Sequence, residues 1–159
     1  MVSEAKTLPN IDGEVINDEA WEGISAIKTF TQKSPDEGTL STEQTIVKIM
    51  YSEETFYVSV VCYDSEPNKI VITDTRRDAP LNNTDSFMFV LDTYQDQQNG
   101  FVFGTNAGGI EYDAQVSGGG EGMSISSTRQ SVGIGANFNI NWDAAWEVKT
   151  KIGDFGWSA

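Results

Sequence analysis

Carboxylates gather where predicted strands end: Asp64, Glu66, Asp78, Asp85, Asp92 and Asp96. Calcium takes roughly six to eight oxygens from short loops and backbone carbonyls and needs no histidine. Asp64, Asp78, Asp85 and Asp92 are the expected metal ligands, for a structural calcium ion. The competing role is local, because aspartates cap turns and pair with arginines such as Arg76 and Arg77. Asp85 and Asp92 also flank one apolar run, and a carboxylate pair could cleave a glycosidic bond. No independent nucleophile or base motif accompanies that pair.

A second set of residues suits a sugar. Arg76 and Arg77 could hold a hydroxyl or a uronate carboxylate, or one of them could pair internally with Asp78 or Asp85. Asn82 and Asn83 offer amides, and aromatic rings stack on the apolar C–H faces of sugars. Tyr94, Trp142, Trp146 and Trp157 are the aromatic candidates, while Trp21 and Trp146 sit at positions typical of a core. Tyr94 follows Asp92 in a loop and is the freest of them. The expected ligand site lies along Arg77, Asn82, Asn83 and Tyr94, beside the mouth of the Phe87 strand, a placement that rests on the family resemblance given below.

Composition narrows the function classes. The 159 residues carry a formal net charge of −14, a balance that repels phosphate backbones and argues against a nucleic-acid partner. There is no histidine, so the commonest general base and the commonest transition-metal ligand are missing. The single cysteine, Cys62, lies in an apolar run and reads as a packed thiol. No apolar run is long enough to span a membrane as a helix. The start, MVSEAKTLPNIDG, lacks the pattern of a signal peptide.

These residues need elements to hold them, and the pattern throughout is short strands between turns. Phe87, Phe89 and Leu91 alternate with Ser86, Met88 and Val90, which predicts a strand covered on both faces and central in its sheet. Thr45 to Tyr51 and Phe56 to Tyr63 alternate around Ser52–Thr55 and predict a β-hairpin. Further strands are expected at Lys28 to Gln32, Ile70 to Thr73, Phe101 to Phe103, Ile110 to Val116, Phe138 to Trp142 and Trp146 to Lys149. Asp18 to Trp21 reads as a short helical turn. Ser117 to Gly122 is glycine-rich but lacks the lysine and helix start of a phosphate loop. The expected fold is all-β, one antiparallel sandwich spanning 1–159. Its inward residues would include Val47, Ile49, Val58, Val60, Phe87, Phe89 and Leu91.

The order of these pieces resembles the family-9 carbohydrate-binding modules, in particular the family-9-like domain at the N-terminus of large exported bacterial proteins. The resemblance is carried by Ile11-Asp12-Gly13 with Ala20-Trp21, by IVKIMYSEETFYVSVVCYDSEP, by Arg76-Arg77-Asp78, by TDSFMFVLDTYQDQQNGFVFGTNAGGIEYD, and by the tail from Trp142 to Trp157. It implies a jelly-roll-like β-sandwich that is non-catalytic, often holds calcium, and belongs to a secreted, periplasmic or cell-envelope protein. The rest of that parent protein would be a partner, the chain being its N-terminal piece and lacking a final strand. In the sugar-binding members two tryptophans enclose a terminal sugar. This chain has Asn82 and Asn83 in the segment that matches the first, and stops short of the second. The readings in competition are a carbohydrate-binding module, an interaction or scaffolding domain on the same sandwich, and a hydrolase using Asp85 and Asp92.

Overall fold

The runs beginning at Thr45 and Phe56 form the expected hairpin. In the computed structural model, which describes residues 2–118 and 137–159, β3 (Thr45–Tyr51) pairs antiparallel with β4 (Phe56–Tyr63) over seven residue pairs. Ser52 donates its backbone N–H to Thr55 at 2.8 Å and closes the turn. The described strands are otherwise β1 (Ser3–Glu4), β2 (Ala26–Ile27), β5 (Ser86–Leu91), β6 (Gly100–Asn106), β7 (Tyr112–Ser117), β8 (Asn137–Asn139), β9 (Lys151–Gly153) and β10 (Gly156–Ser158). They make two open sheets, one of six strands and one of four, and the only helical pieces among the described residues are single 3-10 turns. The chain is all-β and two-sheeted, and it divides into two compact units: Met1–Ile70 with Lys149–Ala159, and Val71–Val148.

The first unit holds the six-stranded sheet, in the order β1-β3-β4-β10-β9, with β2 also on β3. Its pairing is antiparallel except for the two-residue parallel contact of β1 with β3. Both faces of the hairpin carry buried side chains. Val47 and Val60 are buried as expected, with Ile49 and Val58 half-buried on the same face. On the opposite face Met50 and Val61 pack with Val15, Ala20 and Trp21. Trp21 enters that cluster from the 3-10 turn Glu19–Trp21, which Asp18 caps by accepting from the Ala20 N–H at 2.9 Å. Lys48, on the same face, donates its Nζ to the Trp21 carbonyl at 2.8 Å.

The second unit holds β5-β6-β7-β8, all antiparallel. Its core is Ala79, Leu81, Val102, Ile110, Tyr112, Ala114 and Val116, with Met88, Phe138 and Ile140 against it. Two expectations need correcting. The Phe87 to Leu91 strand is an edge strand among the described residues, and β6 is the interior one. Met88, not Phe87, Phe89 or Leu91, is the β5 side chain packed on this core, and those three are half-buried on the other face. The cause lies in β6: Val102 is wholly buried, and Gly104 leaves room for Leu81, whose Cδ1 would lie 2.6 Å from any added Cβ.

Other boundaries moved. Lys28 to Gln32 is not a strand; pairing falls at Ala26–Ile27, and Thr31 makes only an isolated bridge with Leu40. Ile70 to Thr73 is irregular, with Val71 held at the start of β5 by the Asp85 backbone and side chain at 2.9 and 2.7 Å. Trp146 to Lys149 is not a strand, and the tail pairs instead at β9 and β10. The glycine-rich stretch from residue 119 onward lies outside the described residues.

β10 runs beside β4 only because residue 156 is glycine. Its φ is +126°, and an added Cβ would lie 2.1 Å from the Cys62 carbonyl oxygen. Gly156→Ala should therefore lower the unfolding free energy by more than about 1 kcal/mol. Met50→Ala, in the fully buried centre of the first cluster, should cost about 2–5 kcal/mol. Urea denaturation measures both, and an alanine at 156 as stable as the parent would contradict this pairing.

Candidate functional site

One face of the four-stranded sheet is lined with aromatic rings. Alternation places Phe87, Phe89 and Leu91 of β5, Phe101 and Phe103 of β6, and Asp113 and Gln115 of β7 on the side opposite Val102 and Ala114. Register sets Phe89 beside Phe103 and Phe103 beside Asp113, so two rings and a carboxylate form a row across three strands. Ring centroids are 6.0 Å apart for Phe87 and Phe89 and 5.5 Å for Phe89 and Phe103. From the irregular segment after β8, Trp142 stacks on Phe101 at 4.6 Å, and Trp142 and Trp146 stand edge-on to Phe103 at 6.0 and 5.4 Å. Such pairs contribute about 0.5–1.5 kcal/mol each beyond burial. All of these rings are half-buried, so the face is neither closed core nor bare surface.

A buried carboxylate pins the Trp142–Trp146 segment in place. The Asp113 side chain is 1% exposed. Its Oδ1 accepts from Arg77 Nη2 at 2.9 Å and its Oδ2 from the Ala144 backbone N–H at 2.6 Å. Arg77 also pairs with Glu111 and Asp143, and its Nε lies 3.8 Å from Asp78. Partial burial opposes the charge on Arg77, but Asp113, Asp143, Asp78 and Glu111 together raise its pKa above the ordinary guanidinium value. Four carboxylates thus converge on one guanidinium, and two of them tie the segment carrying the tryptophans to the sheet.

The residues singled out from sequence have separate local roles. Arg77 is the centre of this ion-pair group, with Asp78 as one of its partners. Asn82 and Asn83 form the turn before β5, with Asn83 at φ 58°. Tyr94 is 67% exposed in the β5–β6 loop. Asp64 accepts from the Glu66 N–H, Asp85 from the Val71 N–H, and Asp92 from the N–H groups of Asp96 and Gln97. Asp64 and Asp92 therefore serve as turn acceptors, while Asp85 ties the Val71 segment to the start of β5. Asp85 and Asp92 flank the six residues of β5, about 23 Å apart at the usual strand rise. That separation is far beyond the roughly 5–9.5 Å of a glycosidase pair, and no calcium ion could touch both. Among the described residues no group of three or more acidic, cysteine or histidine side chains is placed to hold a metal ion.

No family model, curated protein or solved structure matches the chain. The site is therefore judged on its own chemistry. A half-open row of rings, two indoles and adjoining carboxylates can stack an apolar ligand face and accept hydrogen bonds from its rim. The sequence reading missed Glu111, Asp113 and Asp143. Glu111 and Asp113 alternate with Tyr112 and Ala114 and so look like an ordinary solvent face. What buries Asp113 is a segment 31 residues further along, and no local pattern announces it.

Asp113→Ala should leave the Ala144 N–H and part of Arg77 unpaired, at about 1–3 kcal/mol for each buried group left unsatisfied. The tryptophan emission should shift to the red as Trp142 and Trp146 gain water. Asp143→Ala, whose side chain is 77% exposed, should cost no more than about 1 kcal/mol. Equal losses for the two variants would contradict the pinning role. A second expectation concerns acid. Hydrogen bonds from the Arg76 guanidinium hold the Asp74 carboxyl well below the usual range. A depressed carboxylate stabilises above its unfolded pKa and loses that contribution as pH falls through the folded value. Asp74→Asn should therefore flatten the acid limb of the stability profile, and an unchanged limb would rule this out.

Proposed function

We propose that this chain is a non-catalytic carbohydrate-binding module of a larger exported protein, folded as a jelly-roll-like β-sandwich. The observation that carries this reading is Trp142, stacked on Phe101 at the end of a row of half-buried rings, with Asp143 beside it. Sugar C–H faces stack on indole, and neighbouring carboxylates and amides bond the hydroxyls. The ordered resemblance to family-9 carbohydrate-binding modules supports the same conclusion. The platform differs from the site expected from sequence: Arg77 supports it through Asp143, while Asn82 and Asn83 contribute no ring. Tyr94 is 67% exposed in the β5–β6 loop, which leads into Phe101 near the start of β6.

A second reading, an interaction domain of a cell-envelope protein, is favoured by β5. It is an edge strand among the described residues, with Val90 exposed, and exposed edges pair readily with other chains. Glycan-array screening followed by calorimetry separates the two. The carbohydrate reading expects measurable binding that Trp142→Ala weakens by about 5- to 150-fold, the equivalent of one stack at about 1–3 kcal/mol. Failure of the unmodified protein to bind any glycan would leave the interaction domain as the better description.

A further inference from the structure

We infer that Asn99–Gly100, in the β5–β6 loop, is a deamidation site guarded by Asp96, and that its conversion to aspartate or isoaspartate releases the loop that carries Tyr94. This chemistry is independent of sugar binding. Asn99–Gly100 is the one Asn–Gly pair in the chain. An asparagine followed by glycine is open to attack on its side chain, because the next residue has no Cβ to obstruct its own backbone nitrogen. Here the fold requires the glycine. Gly100 opens β6 opposite Val116, and an added Cβ would lie 3.0 Å from the Leu91 carbonyl oxygen and 3.1 Å from Val90 Cγ1. Packing therefore fixes the vulnerable pair in place.

Asp96 holds the asparagine. Its Oδ2 accepts from Asn99 Nδ2 at 2.6 Å, and its Oδ1 accepts from the backbone N–H groups of Gln98 and Asn99 at 2.8 Å. The Asn99 N–H, then the Asn99 amide, lower the pKa of the Asp96 carboxyl and favour its charged form. With the amide tied back to Asp96 and the Gly100 main chain paired in the sheet, neither reacting group is free to turn onto the other. Reaction requires the loop to open. In the open loop the Gly100 nitrogen bonds to Asn99 Cγ, the Cγ–Nδ2 bond breaks, and Nδ2 leaves as ammonia with the Gly100 proton. Water then opens the succinimide to aspartate or isoaspartate. Either product sets a carboxylate against Asp96 in place of a donor, so the clamp becomes a repulsion between like charges. Isoaspartate also adds a methylene to the main chain just before β6. Gln95 and Gln97 sit at φ 56° and 55°, left-handed conformations that persist only while the loop is held.

The test is incubation of the whole protein in mildly alkaline buffer, with and without urea, followed by peptide mass mapping of residue 99. The folded protein should deamidate there at least about five-fold more slowly than the unfolded one, the equivalent of one hydrogen bond at about 1 kcal/mol. Asp96→Ala, with circular dichroism checking the fold, should move the folded rate toward the unfolded one; the comparison with urea needs no variant. Asn99→Asp, which installs one of the products, should speed hydrogen exchange at the Gln97 and Gln98 amides. Equal rates with and without urea, or a folded rate that Asp96→Ala leaves unchanged, would overturn the guarding role. Asn99 intact after incubation in urea would overturn the site itself, and exchange unaltered by Asn99→Asp would overturn the release of the loop.

Discussion

The second unit depends on one buried carboxylate. Asp113 sits on an interior strand at 1% exposure, where an unpaired charge would cost several kcal/mol. It is satisfied on both oxygens, by a guanidinium and by a backbone N–H, and neither donor is on its own strand. Arg77 comes from the segment before β5 and Ala144 from the segment after β8. The carboxylate can be buried only if both segments arrive, so its desolvation makes their positions conditional on one another. This fixes the indoles. Trp142 and Trp146 lie in a stretch without strand pairing, yet they reach Phe101 and Phe103 because Ala144, between them, is anchored to Asp113. Such a pair can contribute little net stability compared with an apolar replacement and still specify where a segment lies.

The first unit is ordered by a different constraint, the distance along the chain between its parts. β10 is hydrogen-bonded between β4 and β9, so the six-stranded sheet combines residues near both ends of the sequence. Closing that sheet requires the whole second unit to have been laid down in between, and pairings of such sequence separation form slowly. The contacts at the junction are correspondingly strict. Gly13 allows no side chain against Thr150, Gly156 allows none against Cys62, and Ser158 Oγ donates to the Gly13 carbonyl at 2.6 Å. Lys151 pairs with Glu14 at the same seam.

What was legible in the sequence was what local alternation can encode. The hairpin from Thr45 to Tyr63 appears with its boundaries, because period two, a tight polar turn and β-branched residues all agree there. Trp21 proved to be core, and Asp18 the cap before it. Alternation could not say which face of β5 turns inward, since both faces are apolar. That choice rests on Gly104 and Leu81, on other segments. Nor could it find β9 and β10, three residues each, whose strand state comes from pairing rather than propensity. Of the strand-end acids, Asp64 and Asp92 answer backbone N–H groups a few residues along, the commoner use of an aspartate beside a turn, whereas Asp85 answers Val71 from a segment that local pattern does not connect to it.

The same economy explains why the aromatic face is a better place for recognition than the acidic loops. A turn carboxylate already committed to backbone donors must give them up before it can bind anything else. The rings of the aromatic face are half-buried. Their inner contacts hold them in fixed orientations: Phe101 braces Trp142, and Phe103 braces both indoles. Rings braced in this way lose little rotamer freedom when a ligand stacks on them, which lowers the entropic cost of binding. The bracing itself traces back to Asp113 and Arg77, two residues that need touch no ligand. A recognition surface built on this sheet is therefore set by the buried polar group behind it as much as by the rings in front.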